Sequence, residues 1–249
     1  MQPMIPNSEY SSGQLPLRVA GLDVAFLRKV YLLVTASVAV SAGGAALALF
    51  AGADTPRVLA PGVAVPPLVG WFVAHPILAL VLMLGGTFGA SMVARKPGLN
   101  VIALFSLSGL MGLFIAPAVY FTQLAASSGR TLSPAPVLHA FALALVSFVG
   151  LSAYALLSRR DFSFLRGFLT MGLFVVIGAS LLNLFFGGAV FSLAIASAAV
   201  LLFGGFILYD TSRMIRDGET EPVPAALGLY LNILNLFLAL LRIFGARRD

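Results

Sequence analysis

The chain has 249 residues, of which 60% are hydrophobic and 10% charged, and its mean hydropathy is +1.02. That mix excludes an ordinary soluble domain and points to an integral membrane protein whose first partner is the lipid bilayer. The net charge of +6 does not imply a nucleic-acid partner, because the basic residues stand in small groups between apolar runs without an aromatic-basic platform, and the absence of cysteine excludes disulfides and thiolate metal sites.

Residues 1–22 read as a polar tail, with Pro3, Pro6, Ser11, Ser12 and Gly13, expected to be mobile. The first apolar run starts late and is long enough to span, so it reads as a retained helix and not as a cleaved signal peptide. A hydrocarbon core of about 30 Å needs about 20 apolar residues at 1.5 Å rise each. Seven runs approach that length: 30–50, 77–94, 101–125, 137–157, 168–186, 189–209 and 225–244. Residues 23–249 therefore read as one all-α, polytopic domain, a seven-helix transmembrane bundle. The connectors are short except for 51–76, where the Pro66-Pro67 pair and Trp71 suggest an irregular segment at a membrane interface.

Lys and Arg in alternate loops set the orientation. The side holding the N-terminus carries Arg18, Arg28, Lys29, Arg95, Lys96, Arg159, Arg160, Arg166, Arg213 and Arg216, whereas the opposite loops carry Arg57 and Arg130. A cytoplasmic N-terminus follows. Seven crossings then put Arg242, Arg247 and Arg248 outside, while a last segment that enters and returns would keep them inside. The length of the last run favours crossing.

Small residues that let helix backbones approach are present as Gly85 and Gly89 in a GxxxG, as Ser37, Ser41 and Ala45 four apart, and as the pairs Gly43-Gly44 and Gly204-Gly205. Ordinary bundle packing accounts for them. Pro117, inside the third run, should bend that helix, either beside a pore or as a tolerated kink.

Asp210 closes the sixth run. It reads either as an interfacial carboxylate paired with Arg213 three residues on, or as a group inside the bundle where it could take a proton or a transient cation. In the seventh run Gly228, Asn232, Asn235, Ala239 and Arg242 fall within an arc of roughly 80° at 100° per residue, with Leu, Ile, Phe and Tyr elsewhere. A small and polar stripe between apolar faces belongs in the middle of a bundle. Its asparagines could serve transport or simply hydrogen-bond to neighbouring helices, and Asn183 in the fifth run could join the same interior. His75 and His139 stand without a second ligand at metal spacing. No Ser-His-Asp order, G-x-S-x-G, Walker loop or dinucleotide fingerprint occurs, so an enzyme is not expected.

The stretches GFILYDTSRMI and AALGLYLNILNLFLALLRIFG resemble the C-terminal signature of the Bax inhibitor-1 family, the transmembrane Bax-inhibitor-motif proteins. SRRDFSFLRGFL at 158–169, GLMGLFIAPAVYF at 109–121 and FLRKVYLLVTASVAV in the first helix agree, so the likeness runs from Ala25 to Gly245, nearest to the bacterial, YccA-like branch. It implies a bacterial inner-membrane protein of seven helices with the last surrounded by the other six. It also implies, in some members, a calcium leak gated by two aspartates; calcium would be the permeant, with no cofactor or resident metal. Asp210 matches the first aspartate, but the second falls on Asn232. Two close carboxylates share a proton and titrate as a coupled pair. An amide removes that shared proton and one of the charged oxygens a hard cation prefers, so the family's pH gate and calcium preference are not expected unchanged here. In relatives a basic residue ending helix two can pair with the first aspartate; Arg95 or Lys96 lies near that position. The bacterial likeness further implies action on an ATP-dependent membrane protease, with the polar tail as its handle.

Overall fold

The computed structural model describes residues 18–19, 22–52, 54–60, 63–126, 134–158, 160–216 and 221–246. Most of the polar tail, together with Arg130, Arg159, Arg247 and Arg248, lies outside them. Eight helices and two short hairpins are present among the described residues: β1 (Arg18–Val19), β2 (Leu22–Asp23), α1 (Val24–Phe50), β3 (Arg57–Ala60), β4 (Val63–Val65), α2 (Pro67–Ala74), α3 (Pro76–Val93), α4 (Asn100–Ala126), α5 (Ala135–Ser158), α6 (Leu165–Phe186), α7 (Ala189–Arg216) and α8 (Pro222–Gly245). Seven of the helices, all but α2, are long and apolar enough to cross a membrane. They coincide with the seven apolar runs. The largest differences are at α1, which starts six residues before its run, and α7, which continues seven residues past Tyr209. Both extensions carry charge, Arg28 and Lys29 in one and Asp210, Arg213 and Arg216 in the other, so hydropathy ends before the helix does.

The last helix, α8, is central. Half of its membrane window is buried in protein, against 6% for α3 and α6. Its packing partners are chiefly α1, α4, α5 and α7, while α3 leans on α4 and α6 on α7. The ring of six expected around it is thus an inner layer of four with two outer helices. Leu82, Phe88, Phe174 and Leu184 on those outer helices are exposed and apolar, as lipid contact requires.

The closest helix pair is α1 with α4. Ser37, Ser41, Ala45 and Ala48 are buried along α1, and a Cβ on Gly112 would collide with the Ser41 carbonyl, one on Gly44 with the Gly109 carbonyl. Without a hydrophobic drive inside lipid, this backbone approach is what gains dispersion contact. Gly204 and Gly205 admit Leu151 of α5 and Leu169 of α6. The GxxxG pair does not act this way: Gly85 and Gly89 are exposed with open space about them, and it is Gly86 between them that meets Leu110 of α4. Helix α4 continues through Pro117 to Ala126.

Most described residues of the long connector 51–76 lie in regular elements, where its sequence suggests an irregular segment. Strands β3 and β4 pair antiparallel, and α2 begins at Pro67, where a missing N–H costs nothing. Val65 and Val69 are fully buried against Ala48, Ala116 and Tyr120, and the Tyr120 hydroxyl donates to the Ala64 carbonyl at 2.7 Å. This segment covers one end of the bundle. At the other, basic end, Arg95 Nε lies 3.3 Å from Glu221 Oε2 and Arg216 Nη1 lies 3.7 Å from Asp161 Oδ2.

Candidate functional site

Asp210 sits six residues before the end of α7, about 9 Å into the bundle at 1.5 Å per residue. It is half-buried. Asn232, ten residues into α8 and 9% exposed, donates its amide Nδ2–H to Asp210 Oδ2 at 2.7 Å. A charge-assisted bond of that length suits an ionised carboxylate, because the amide supplies a donor where hydration is reduced. Gly228, one turn earlier on α8, lies against the same oxygen: a Cβ there would sit 3.5 Å from Asp210 Oδ2. The stripe read from helical phase therefore meets Asp210 through its first two members.

Its remaining members do other things. Asn235 Nδ2 donates to the Leu231 carbonyl at 2.8 Å, within its own helix, Ala239 is buried, and Arg242 is exposed at the far end. Asn183 stands near the far end of α6, a helix that packs on α7, so it is remote from Asp210. Arg213 is exposed one turn beyond Asp210. The partner found for Arg95 is Glu221, the residue capping the start of α8, in place of the expected Asp210. That pairing follows from geometry: Arg95 is beyond the end of α3, at the level where α8 begins, whereas Asp210 is further in. Lys96 is exposed.

A second polar cluster joins α8 to α1 and α4, and helical phase alone does not mark it. Ser41 of α1 donates to the Ser108 carbonyl of α4 at 2.7 Å, and the Tyr230 hydroxyl of α8 lies 2.5 Å from Ser41 Oγ and 3.5 Å from that same carbonyl. With Ser41 donating to Ser108, Tyr230 must donate to Ser41, and both protons are used. Tyr230 is 1% exposed. It is two positions from Asn232, so α8 is fixed to α1 and α4 on one side and to α7 on another at nearly one depth.

At the basic end, the loop 160–164 is tied to α7: Ser212 Oγ donates to the Arg160 carbonyl at 3.1 Å and accepts from the Phe162 N–H at 3.5 Å. The Asp161 carboxyl is held below its ordinary value, first by the Ser163 backbone N–H at 2.8 Å, then by the Ser163 side chain, with Arg216 a smaller contribution. His75 stacks on Trp71 and His139 lies beside Phe244. Among the described residues no three His, Cys, Asp or Glu side chains converge.

The family described as Inhibitor of apoptosis-promoting Bax1 matches residues 24–249. The chain belongs to the Bax inhibitor-1 family. Among its relatives, a membrane protein of Vibrio cholerae is 43% identical over 68% of this chain and 75% of its own length. The Escherichia coli K12 protein named Modulator of FtsH protease YccA is 37% identical over 70% of this chain and 76% of its own. Mouse protein lifeguard 4 is 34% identical over 90% and 86%. In this family member the half-buried acid of α7 thus meets an amide, not a second acid, on the central helix.

Proposed function

We propose that this protein conducts cations passively across the bacterial inner membrane, with its basic end and N-terminus in the cytoplasm and an interior gate formed by Asp210 against Asn232. The observation that carries this reading is the 2.7 Å bond between them in the inner layer of the bundle. An ionisable side chain inside a membrane segment is costly and belongs at an ion or proton path more often than at a packing contact. One carboxylate held by an amide offers too few charged oxygens to trap a divalent ion, which suits transient passage of calcium or a smaller charge.

Reconstitution in liposomes with an enclosed calcium dye tests it. Wild type should leak above empty vesicles, Asp210→Asn should abolish the excess, and Asn232→Asp should make it pH-dependent. Wild-type flux equal to that of empty vesicles at every pH would overturn the reading.

A second reading, modulation of an ATP-dependent membrane protease, is favoured by the relative named for that role. Deleting residues 1–20 separates the two. A leak tolerates the deletion, whereas a modulator that presents its tail loses its effect on substrate turnover.

A further inference from the structure

A cleft of about 320 Å³ opens at the end of the bundle away from the basic groups, with Leu49, Phe50, Pro56, Ala64, Tyr120 and Gln123 in its lining. Ligand sites begin at about that size, roughly 300 Å³. The cleft follows from how the connector is held. The Tyr120 hydroxyl pins β4 at Ala64, and Val65 beside it is buried against Ala48 and Ala116, so the hairpin stands over the ends of α1 and α4 and leaves a space beside Leu49 and Phe50.

Its walls decide what can fill it. The Tyr120 hydroxyl is already spent on the Ala64 carbonyl, which leaves the Gln123 amide as the other polar side chain of an otherwise apolar lining. Water held inside a protein needs two to four polar partners, and an empty apolar space forfeits dispersion contacts, so a hydrocarbon chain suits the cleft better than either. Such chains are at hand: Phe50 is 75% exposed and Leu47, one turn back on the same face of α1, is 58% exposed, which makes the cleft continuous with a lipid-facing surface. A cation stands at its rim. Arg57 follows Pro56 and pairs with Val65 across the hairpin, and its stem lies on α2 at Gly70, where a Cβ would meet Arg57 Cδ at 3.3 Å and Val65 Cγ2 at 3.2 Å. Arg57 is exposed, as is Asp54 three positions earlier. An arginine whose stem rests on protein at the end of a span carries its head to the level of lipid phosphates.

We propose that this cleft binds an anionic glycerophospholipid of the leaflet away from the basic end, one acyl chain entering beside Phe50 and Tyr120 and the phosphate meeting Arg57. A guanidinium and a phosphate make a charge-assisted pair, and Gln123, the lining residue nearest the end of α4, offers its amide to the ester carbonyls. Charge at the rim and continuity with the lipid-facing surface select this occupant. The site stands whether or not the bundle conducts.

Native mass spectrometry of the full chain, released from detergent micelles and titrated with phosphatidylglycerol or phosphatidylcholine of equal chain length, compares the first bound lipid with later ones. The first phosphatidylglycerol should bind several-fold tighter than the later ones and about fivefold tighter than phosphatidylcholine, the factor for one cation near a charged lipid surface. Arg57→Gln should remove the preference between headgroups, and Arg57→Lys should keep most of it. Ala64→Trp, which fills the cleft from an exposed position of β4, should bring the first lipid of both kinds to the level of the later ones, whereas Leu184→Trp on the lipid face of α6 should change nothing. A wild type whose first lipid is no tighter than the later ones would overturn the proposal. So would a headgroup preference that survives Arg57→Gln, or a tight first lipid that survives Ala64→Trp. Arg57 is at the surface, so the headgroup comparison holds even where Ala64→Trp fails to fold.

Discussion

Asn232→Asp is the substitution whose effect the geometry specifies most fully. Asn232 Nδ2 lies 2.7 Å from Asp210 Oδ2, so the new carboxylate would start in hydrogen-bond contact with the old one. When both are ionised, two unit charges relaxed to about 4 Å at an effective dielectric of about 20 repel by about 4 kcal/mol. The lost amide bond adds about 0.6–1.7 kcal/mol, the range for hydrogen bonds between helices in a bilayer. With one proton shared, an O–H···O⁻ bond replaces the amide bond and the deficit falls to within about 1 kcal/mol of wild type. The folded variant holds a proton that the unfolded chain releases more readily, so its stability is present at low pH and is lost as pH rises. Reversible unfolding in mixed micelles across the range from about pH 5 to about pH 9 reads this directly. A wild-type minus variant difference that stays constant across that range would refute the contact-based reasoning.

Three further outcomes follow from the packing and the basic end. Gly112→Ala should destabilise by about 1–3 kcal/mol because its Cβ meets the Ser41 carbonyl, while Gly85→Ala and Gly89→Ala, facing open space, should stay within about 0.5 kcal/mol of wild type in the same unfolding assay. Ser41→Ala should cost more than Tyr230→Phe, by about 1 kcal/mol. The first strands the Tyr230 hydroxyl 3.5 Å from its one remaining acceptor, whereas the second leaves Ser41 bonded to Ser108. The Asp161 carboxyl, followed by NMR, should titrate with a midpoint below 3.8. Its small contribution to stability is therefore present above the unfolded value and lost as pH falls through the lowered one; a midpoint above 3.8 would contradict the Ser163 bond.

The seven spans were legible because a bilayer imposes one requirement, about 20 apolar residues in a self-satisfied helix, and little else competes with it. The connector 51–76 was not, since its hairpin is held by contacts distant in sequence: Val65 and Val69 on Ala48 and Ala116, and the Tyr120 hydroxyl on the Ala64 carbonyl. The same distinction runs through the site. Helical phase placed Asn232 and Asn235 on one face of α8, but phase fixes direction and not reach, so one amide crosses to Asp210 while the other turns back to Leu231. Gly85 and Gly89 have the spacing for close approach, yet a motif needs a helix opposite, and α4 lies opposite Gly86. Tyr230 falls on an apolar face by helical phase, yet a tyrosine in the seam of a central helix needs a partner for its hydroxyl, and that requirement is the signal that points to a partner such as Ser41. A polar residue in lipid advertises itself by its cost, so Asp210 stands out from sequence. One whose cost is already met by a neighbouring serine leaves no such mark, and only the assembled helices reveal it.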